Sequence, residues 1–349
     1  MSTTQQMEAL TWLGPRMMEM RTTGVPQPKA GEVLLKVSAA GICGSELSGY
    51  LGENSLRKPP LVMGHEAAGR VVQVTDGTFH DGSPASIDTR VTFNPLITCG
   101  HCDRCRANRP NLCRTRQIIG IHRPGAFADY VAVPAQLCYP LPDNMSTSIA
   151  SLAEPLACSV RAVSIAHLQP EQSLFILGAG PIGLFCLAAA KALGIQNIVI
   201  SDMSPSRLDI ANRWGAQATI NAGEQNVVET IQQLFPGGVD AVIDAVGLNS
   251  TRAQAVQAAV PGGQVVFIGL HHESSPLEAN YLVRQEVTIS GSFSYTPADF
   301  DLSFGYLKQG LLQAETDWLE ERPLAAGANA FAELIAGSVA ATKIVLRVE

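Results

Sequence analysis

A chain of 349 residues, 46% apolar and 16% charged, has the composition of an ordinary folded protein and is too long for one hydrophobic core, so two domains are expected. Its net charge of -7 and the isolation of the pair Arg57-Lys58 exclude a basic footprint for nucleic acid. Met1 to Leu13 lacks the pattern of a secretory signal, and the longest apolar segment, Leu174 to Ala190, is broken by Gly178, Gly180, Pro181 and Gly183, so a soluble cytoplasmic protein without membrane contact is expected.

Short β-type runs come first, at Glu32–Val37, Gly69–Val74, Arg90–Phe93 and Ala128–Val133, separated by Gly, Pro and Asn as in a compact all-β unit. Between them lie Cys43, the pair His65-Glu66 and a crowd of cysteines. The texture changes near Ala150. Leu174–Leu177 reads as a buried strand and Pro181–Leu193 as a helix closed by Gly194. Ile198–Ile200 is a strand, followed by a helix from Pro205 to Trp214 with Ser204 as N-cap and Gly215 at its end. Ala241–Ile243, Val265–Ile268 and Val287–Ser290 continue the strand series, which predicts a doubly wound parallel sheet. The region Ala298 to Glu349 returns to mixed elements and ends on the strand Lys343–Val348.

Eight cysteines in so long a chain are no disulfide framework. Cys99, Cys102, Cys105 and Cys113 have spacing that closes a four-thiolate structural zinc site, with an iron–sulfur cluster as the rival reading. His101 reads as an exposed loop residue, and Cys138, Cys158 and Cys186 as buried apolar fillers. Cys43, His65, Glu66 and Glu154 offer a second zinc site, one thiolate, one imidazole and one or two carboxylates, able to leave a position open for substrate.

Gly178-Ala179-Gly180-Pro181-Ile182-Gly183 follows a strand and opens a helix, so a pyrophosphate can approach bare backbone at a helix N-terminus. Asp202, at the end of the next strand, is placed to accept both adenosine ribose hydroxyls and to repel a 2′-phosphate, which favours NAD over NADP. Arg207 is a candidate neighbour of the adenosine.

The order Gly-Ile-Cys43-Gly-Ser45-Glu46, Gly64-His65-Glu66, four cysteines, Glu154-Pro155-Leu156 and the glycine turn resembles the zinc-containing medium-chain dehydrogenase/reductase family over essentially the whole chain. Glu154, where liver-type alcohol dehydrogenases place a second cysteine, resembles the polyol (sorbitol-like) and threonine dehydrogenase branch. The resemblance implies a GroES-like β-rich catalytic domain (1–152 and 290–349, with a zinc lobe at 95–115) and a Rossmann domain (153–289).

It further implies two zinc ions per chain, NAD, and a hydride passed between a secondary alcohol and the nicotinamide. Cys43 and His65 match catalytic zinc ligands, and Glu66 and Glu154 two acids that ligate directly or through water. Ser45 matches the hydroxyl that hands the proton onward. Glu46 matches the acid that orients the histidine, although most relatives carry Asp there. Ser48 stands where many relatives have the next proton carrier, a histidine. Val246, Ile268, Gly269, Leu270, Ser292, Phe293 and Ser294 fall in strand-end loops where the family touches its cofactor.

For substrate, Tyr50 is a pocket candidate and Arg123 a clamp for an anionic group. A small polyol or other alcohol is the leading expectation, with threonine, a sugar acid or a sugar phosphate as alternatives. A catalytically silent, zinc-stabilised binding protein is the alternative of another class. The family resemblance also implies a homodimer or homotetramer joined near Val287–Ser290, an edge that needs covering.

Overall fold

The computed structural model describes residues 5–312 and 317–348, so the expected domain bounds at 1 and 349 lie outside the described residues. The chain divides into two compact units, Met1–Glu154 with Leu307–Glu349, and Pro155–Tyr306. The second division comes later than the 289/290 boundary read from the sequence. Thr288–Gly291 pairs in parallel with Ala259–Phe267, and the helix that follows, Pro297–Lys308, begins in the same unit.

The first unit is β-rich. Its main sheet runs in the order Cys138–Pro140, Arg90–Phe93, Glu66–Val74, Glu32–Gly41, Lys343–Arg347, Leu319–Pro323, with Tyr130–Pro134 also paired to Glu32–Gly41. Leu10, Leu35, Phe93, Phe127 and Phe331 are at most 1% exposed and fill its core. Tyr50, expected to line a pocket, belongs to that core instead: its ring packs on Phe331 and its hydroxyl donates to the Arg16 carbonyl.

A hairpin, Gln6–Gly14 with Met17–Gly24, escapes a periodicity reading. Its second strand, MMEMRTTG, is rich in helix-forming residues and lies mostly at the surface; pairing with its neighbour overrides that preference. The helix Gly44–Leu51, GSELSGYL, is equally hard to read because two glycines and two serines are poor helix formers. Glu46 makes it possible, reaching back from the third helical position to accept the Cys43 N–H at 3.0 Å.

The second unit holds six parallel strands in the order Ala218–Asn221, Asn197–Asp202, Ser173–Leu177, Val239–Asp244, Ala259–Phe267, Thr288–Gly291, the doubly wound topology. Every residue of Ser173–Leu177 is buried, as a central strand covered on both faces requires. Ala218–Asn221 left no signal because only Ile220 of its four residues is buried. Thr288–Gly291 is one of the sheet's two edge strands, opposite Ala218–Asn221.

The N-cap position read at Ser204 holds, and one reading among the cysteines needs correction. Ser204 occupies the N-cap of Pro205–Arg213, but its hydroxyl pairs with Ser206 rather than with the helix backbone. Cys138 and Cys186 are buried, whereas Cys158 is only partly so.

Candidate active site and metal centres

The four cysteines of the 95–115 lobe converge around one point. Sγ–Sγ separations are 3.5 Å (Cys99–Cys113), 3.6 Å (Cys102–Cys105) and 4.0 Å (Cys99–Cys105 and Cys102–Cys113). A tetrahedron of sulfurs about 2.3 Å from zinc has edges of about 3.8 Å, so the cage fits a single ion. The backbone N–H groups of His101 and Cys102 bring the Cys99 thiol down to about 6, while desolvation and the neighbouring sulfurs push Cys105 up to about 12. Four thiolates this close coexist only around a shared cation. His101 is exposed, its Nδ1 2.6 Å from the Cys99 carbonyl oxygen.

The second cluster brings one ligand atom each from Cys43, His65 and Glu66 within 4.8 Å of one another. Cys43 is the N-cap of Gly44–Leu51, His65 follows the turn at Gly64, and Glu66 opens the strand Glu66–Val74. Glu46, fully buried, ties them together. One oxygen accepts the Cys43 N–H; the other accepts the Gly64 N–H at 2.8 Å and meets His65 Nδ1 at 2.9 Å.

The glutamate in place of the usual aspartate thus has a physical reason: its length spans both the helix cap and the imidazole. Burial works against an imidazolium, but Glu46 and Cys43 together outweigh it and raise His65 well above its ordinary value. That charge is one a divalent cation can supply at the other ring nitrogen in place of the proton.

Glu66 is also fully buried, and neither of its oxygens accepts a hydrogen bond; Oε2 is in ion-pair contact with Lys343. A buried carboxylate with an orphaned oxygen beside a thiolate and an imidazole is a donor set for zinc. Glu154, 8% exposed in the helix Ala153–Ile165, lies outside this three-residue set.

Two residues here had no signal in the sequence. Lys343, 2% exposed, bonds the Ile42 carbonyl at 2.8 Å; burial lowers its pKa, but Glu66 and Cys43 outweigh that and raise it. Only the fold brings it beside Glu66. Arg57, one of the basic pair that stands alone in the sequence, is 3% exposed. It donates to the Ser45 carbonyl at 2.9 Å and to Ser45 Oγ at 3.3 Å, and Ser45 Oγ in turn donates to Cys43 Sγ at 3.4 Å. A Cβ on Gly49 would lie 2.6 Å from Arg57 Cδ, so the helix makes room for this side chain by lacking one.

Because the guanidinium orients the Ser45 hydroxyl, Arg57→Met is expected to lower kcat about 10- to 100-fold, the worth of a charged hydrogen bond. Zinc content should stay unchanged. Steady-state kinetics with metal analysis checks this, and a wild-type kcat would mean that Ser45 is held without it.

Arg123, read as a clamp for an anionic substrate, is already paired: its Nη2 lies 2.7 Å from Glu32 Oε1, and Glu32 is 6% exposed.

In the second unit, Gly178 has φ +95°, and Gly180 is the N-cap of Pro181–Ala192. A Cβ on Gly183 would lie 1.8 Å from the Gly178 carbonyl oxygen, so no side chain fits where this helix meets the strand. Gly183→Ala is therefore expected to weaken NAD⁺ binding at least about 100-fold, since the turn must open to admit the methyl. Displacement of fluorescent NADH by titrated NAD⁺ measures it.

Asp202 accepts the Ala179 N–H at 2.7 Å and the Ser204 N–H at 2.9 Å, with Arg207 3.9 Å away. Val246 reaches the glycine turn, since a Cβ on Gly178 would sit 2.6 Å from its Cγ2. Asp244 shapes that neighbouring turn by accepting the Val246 and Gly247 N–H groups. Ile268 and Gly269 donate to the Asp244 carbonyl, and Ser292 to that of Phe267. Leu270 is 78% exposed, Phe293 is 37% exposed, and Ser294 adopts φ +53°. All follow the C-terminal ends of parallel strands, where this topology binds ligands.

Comparison with known proteins matches residues 29–143 to the alcohol dehydrogenase GroES-like domain and residues 181–307 to the zinc-binding dehydrogenase model. Sorbitol dehydrogenase of Bacillus subtilis is 33% identical over 298 residues, 83% of each chain. L-threonine 3-dehydrogenase of Pyrococcus abyssi is 36% identical over 271 residues, 76% of each. Among solved structures, the rspB alcohol dehydrogenase of Escherichia coli CFT073, complexed with NADH, superposes with a TM-score of 0.90 at 27% identity, covering 98% of this chain and 99% of that one.

Proposed function

The chain belongs to the zinc-binding dehydrogenase family with an alcohol dehydrogenase GroES-like domain, and on that premise we propose that it oxidises a secondary hydroxyl of a polyol or sugar-like substrate with NAD as hydride acceptor. The observation that carries the reading is the convergence of half-buried Cys43 with buried His65 and Glu66, and the Ser45 hydroxyl donating to the Cys43 sulfur. Cys43, His65 and a carboxylate would hold a zinc ion, which would supply the Lewis acidity that makes an alcohol acidic near neutral pH, and bound NAD would supply the hydride acceptor.

The chain's own residues do the rest. Glu46 fixes the His65 tautomer with Nδ1 toward its carboxylate, leaving Nε2 to face the ligand side. Ser45 takes the substrate proton, and Arg57, which has no acceptor, cannot carry it onward. With Ser48 in the next relay position, the proton passes to water or to the ribose of the cofactor. Asp202, already accepting two backbone N–H groups, gives NAD preference over NADP by repelling a 2′-phosphate. The lobe of Cys99, Cys102, Cys105 and Cys113 holds the second zinc, in a structural role.

A neutral polyol is favoured over threonine or a sugar acid because Arg123 is neutralised by Glu32. Threonine stays the second reading, on the similarity to the Pyrococcus enzyme. We place the enzyme in the cytoplasm as a homodimer or homotetramer that covers the edge strand Thr288–Gly291.

The test is NADH formation from NAD⁺ across polyols, sugar acids, sugar phosphates, L-threonine and simple secondary alcohols, repeated with NADP⁺ and after chelation. The expected result is turnover on polyols with NAD⁺, lost with zinc. Turnover confined to L-threonine would replace the substrate class, and silence of the zinc-loaded protein would favour a binding protein.

A further inference from the structure

Away from the metal clusters, the main sheet of the first unit carries an open polar pocket of about 410 Å³. It is lined by Arg70, Arg90 and Arg347, by the hydroxyls of residues 146–148 and by a single carboxylate, Glu321. Arg70 and Arg90 are direct cross-strand partners in the antiparallel pair of Glu66–Val74 and Arg90–Phe93. Like charges set opposite one another destabilise a sheet unless something negative lies between them.

Internal bonds leave much of this donor set unused. Arg70 spends one N–H, on the Asp88 carbonyl at 2.7 Å. Arg90 caps the carbonyls of Pro142, Asp143 and Met145, while its buried Nε has no partner. Arg347 donates to Thr147 Oγ1 at 2.9 Å and Ser148 Oγ at 3.1 Å; Ser148 passes its hydrogen to Glu321, and Thr147 keeps its own to give. Glu321 stands 3.8 Å from Arg347 Nε, so three positive side chains face one negative one.

We propose that this pocket binds a phosphate group, free or as the ester of a small metabolite. A tetrahedral dianion cancels the excess charge, separates Arg70 from Arg90, and accepts from planar guanidinium forks and hydroxyls together. The volume leaves room for an esterified carbon chain.

This site is separate from the zinc-ligand cluster although two strands serve both. Glu66 and Arg70 lie four residues apart on one strand, and Lys343 and Arg347 four apart on another, about 13 Å along the sheet. Failure of the dehydrogenase reading would leave it standing.

The test is thermal unfolding of the zinc-loaded protein with saturating NADH, which fills the dinucleotide site, against increasing inorganic phosphate and against sodium chloride of equal ionic strength. A saturable rise in Tm beyond the chloride effect is expected. Glycerol phosphate saturating at lower concentration would assign the ester, and equal or weaker binding the free anion.

Arg70→Gln with Arg347→Gln should weaken phosphate at least about tenfold. Glu321→Gln should tighten it severalfold, a gain that misfolding cannot imitate. No rise beyond chloride, a wild-type response in the double arginine variant, or phosphate binding unchanged or weaker in Glu321→Gln would overturn the site.

Discussion

Cys43→Ser is expected to cut turnover by more than about 10³-fold and to leave one zinc per chain in place of two. A serine hydroxyl ionises far too weakly to replace a thiolate, so the donor set falls to His65 and a carboxylate, and the Ser45 hydroxyl loses its present acceptor. The four-cysteine lobe shares no residue with this cluster and should keep its ion. Metal content by atomic emission, read beside NADH formation, separates the two sites. Two zinc ions bound with turnover within tenfold of wild type would remove Cys43 from the chemistry.

Lys343→Met is the second large effect, and it acts on stability. It strands the Glu66 carboxylate in a site where both partners are at most 2% exposed, and breaking one side of such a buried pair costs about 3–5 kcal/mol. The double variant Lys343→Met, Glu66→Gln removes both charges together and should recover most of that loss. Denaturant unfolding of the three proteins at neutral pH measures the cycle. Equal stability of wild type and Lys343→Met would show that Glu66 is neutralised by other means. Both effects arise at one place, where the first and last strands of the main sheet meet.

The features legible in the sequence are those written in consecutive residues. The glycine turn, the cysteine spacing and the β-rich runs each depend on neighbours along the chain, and each has a local signature. Arg57 and Lys343 do not: their roles exist only after folding sets one against Ser45 and the other against Glu66. An arginine beside a lysine in the sequence looks like solvated charge, and nothing local says that a glycine helix will bury it. Arg123 errs in the opposite direction, a charge that reads as available because its partner, Glu32, lies 91 residues away. Glu46 sits between these cases. Its motif position was readable, but the reason for its extra methylene, reaching both the helix cap and His65, appears only when Gly64 and Cys43 are seen together.

The Lys343 bond to the Ile42 carbonyl spans 301 residues, with a whole α/β unit between its ends. The ribosome has therefore delivered Cys43, His65 and Glu66, and then the entire parallel sheet, before the cation that neutralises Glu66 emerges. At ordinary elongation rates that interval is tens of seconds. Throughout it, the end of the strand Glu32–Gly41 at Ala39–Gly41, which Lys343–Arg347 will cover, presents an open hydrogen-bonding edge and Glu66 an uncompensated charge, so the nascent catalytic unit waits half-built. That waiting interval is where a chaperone would do most to protect it.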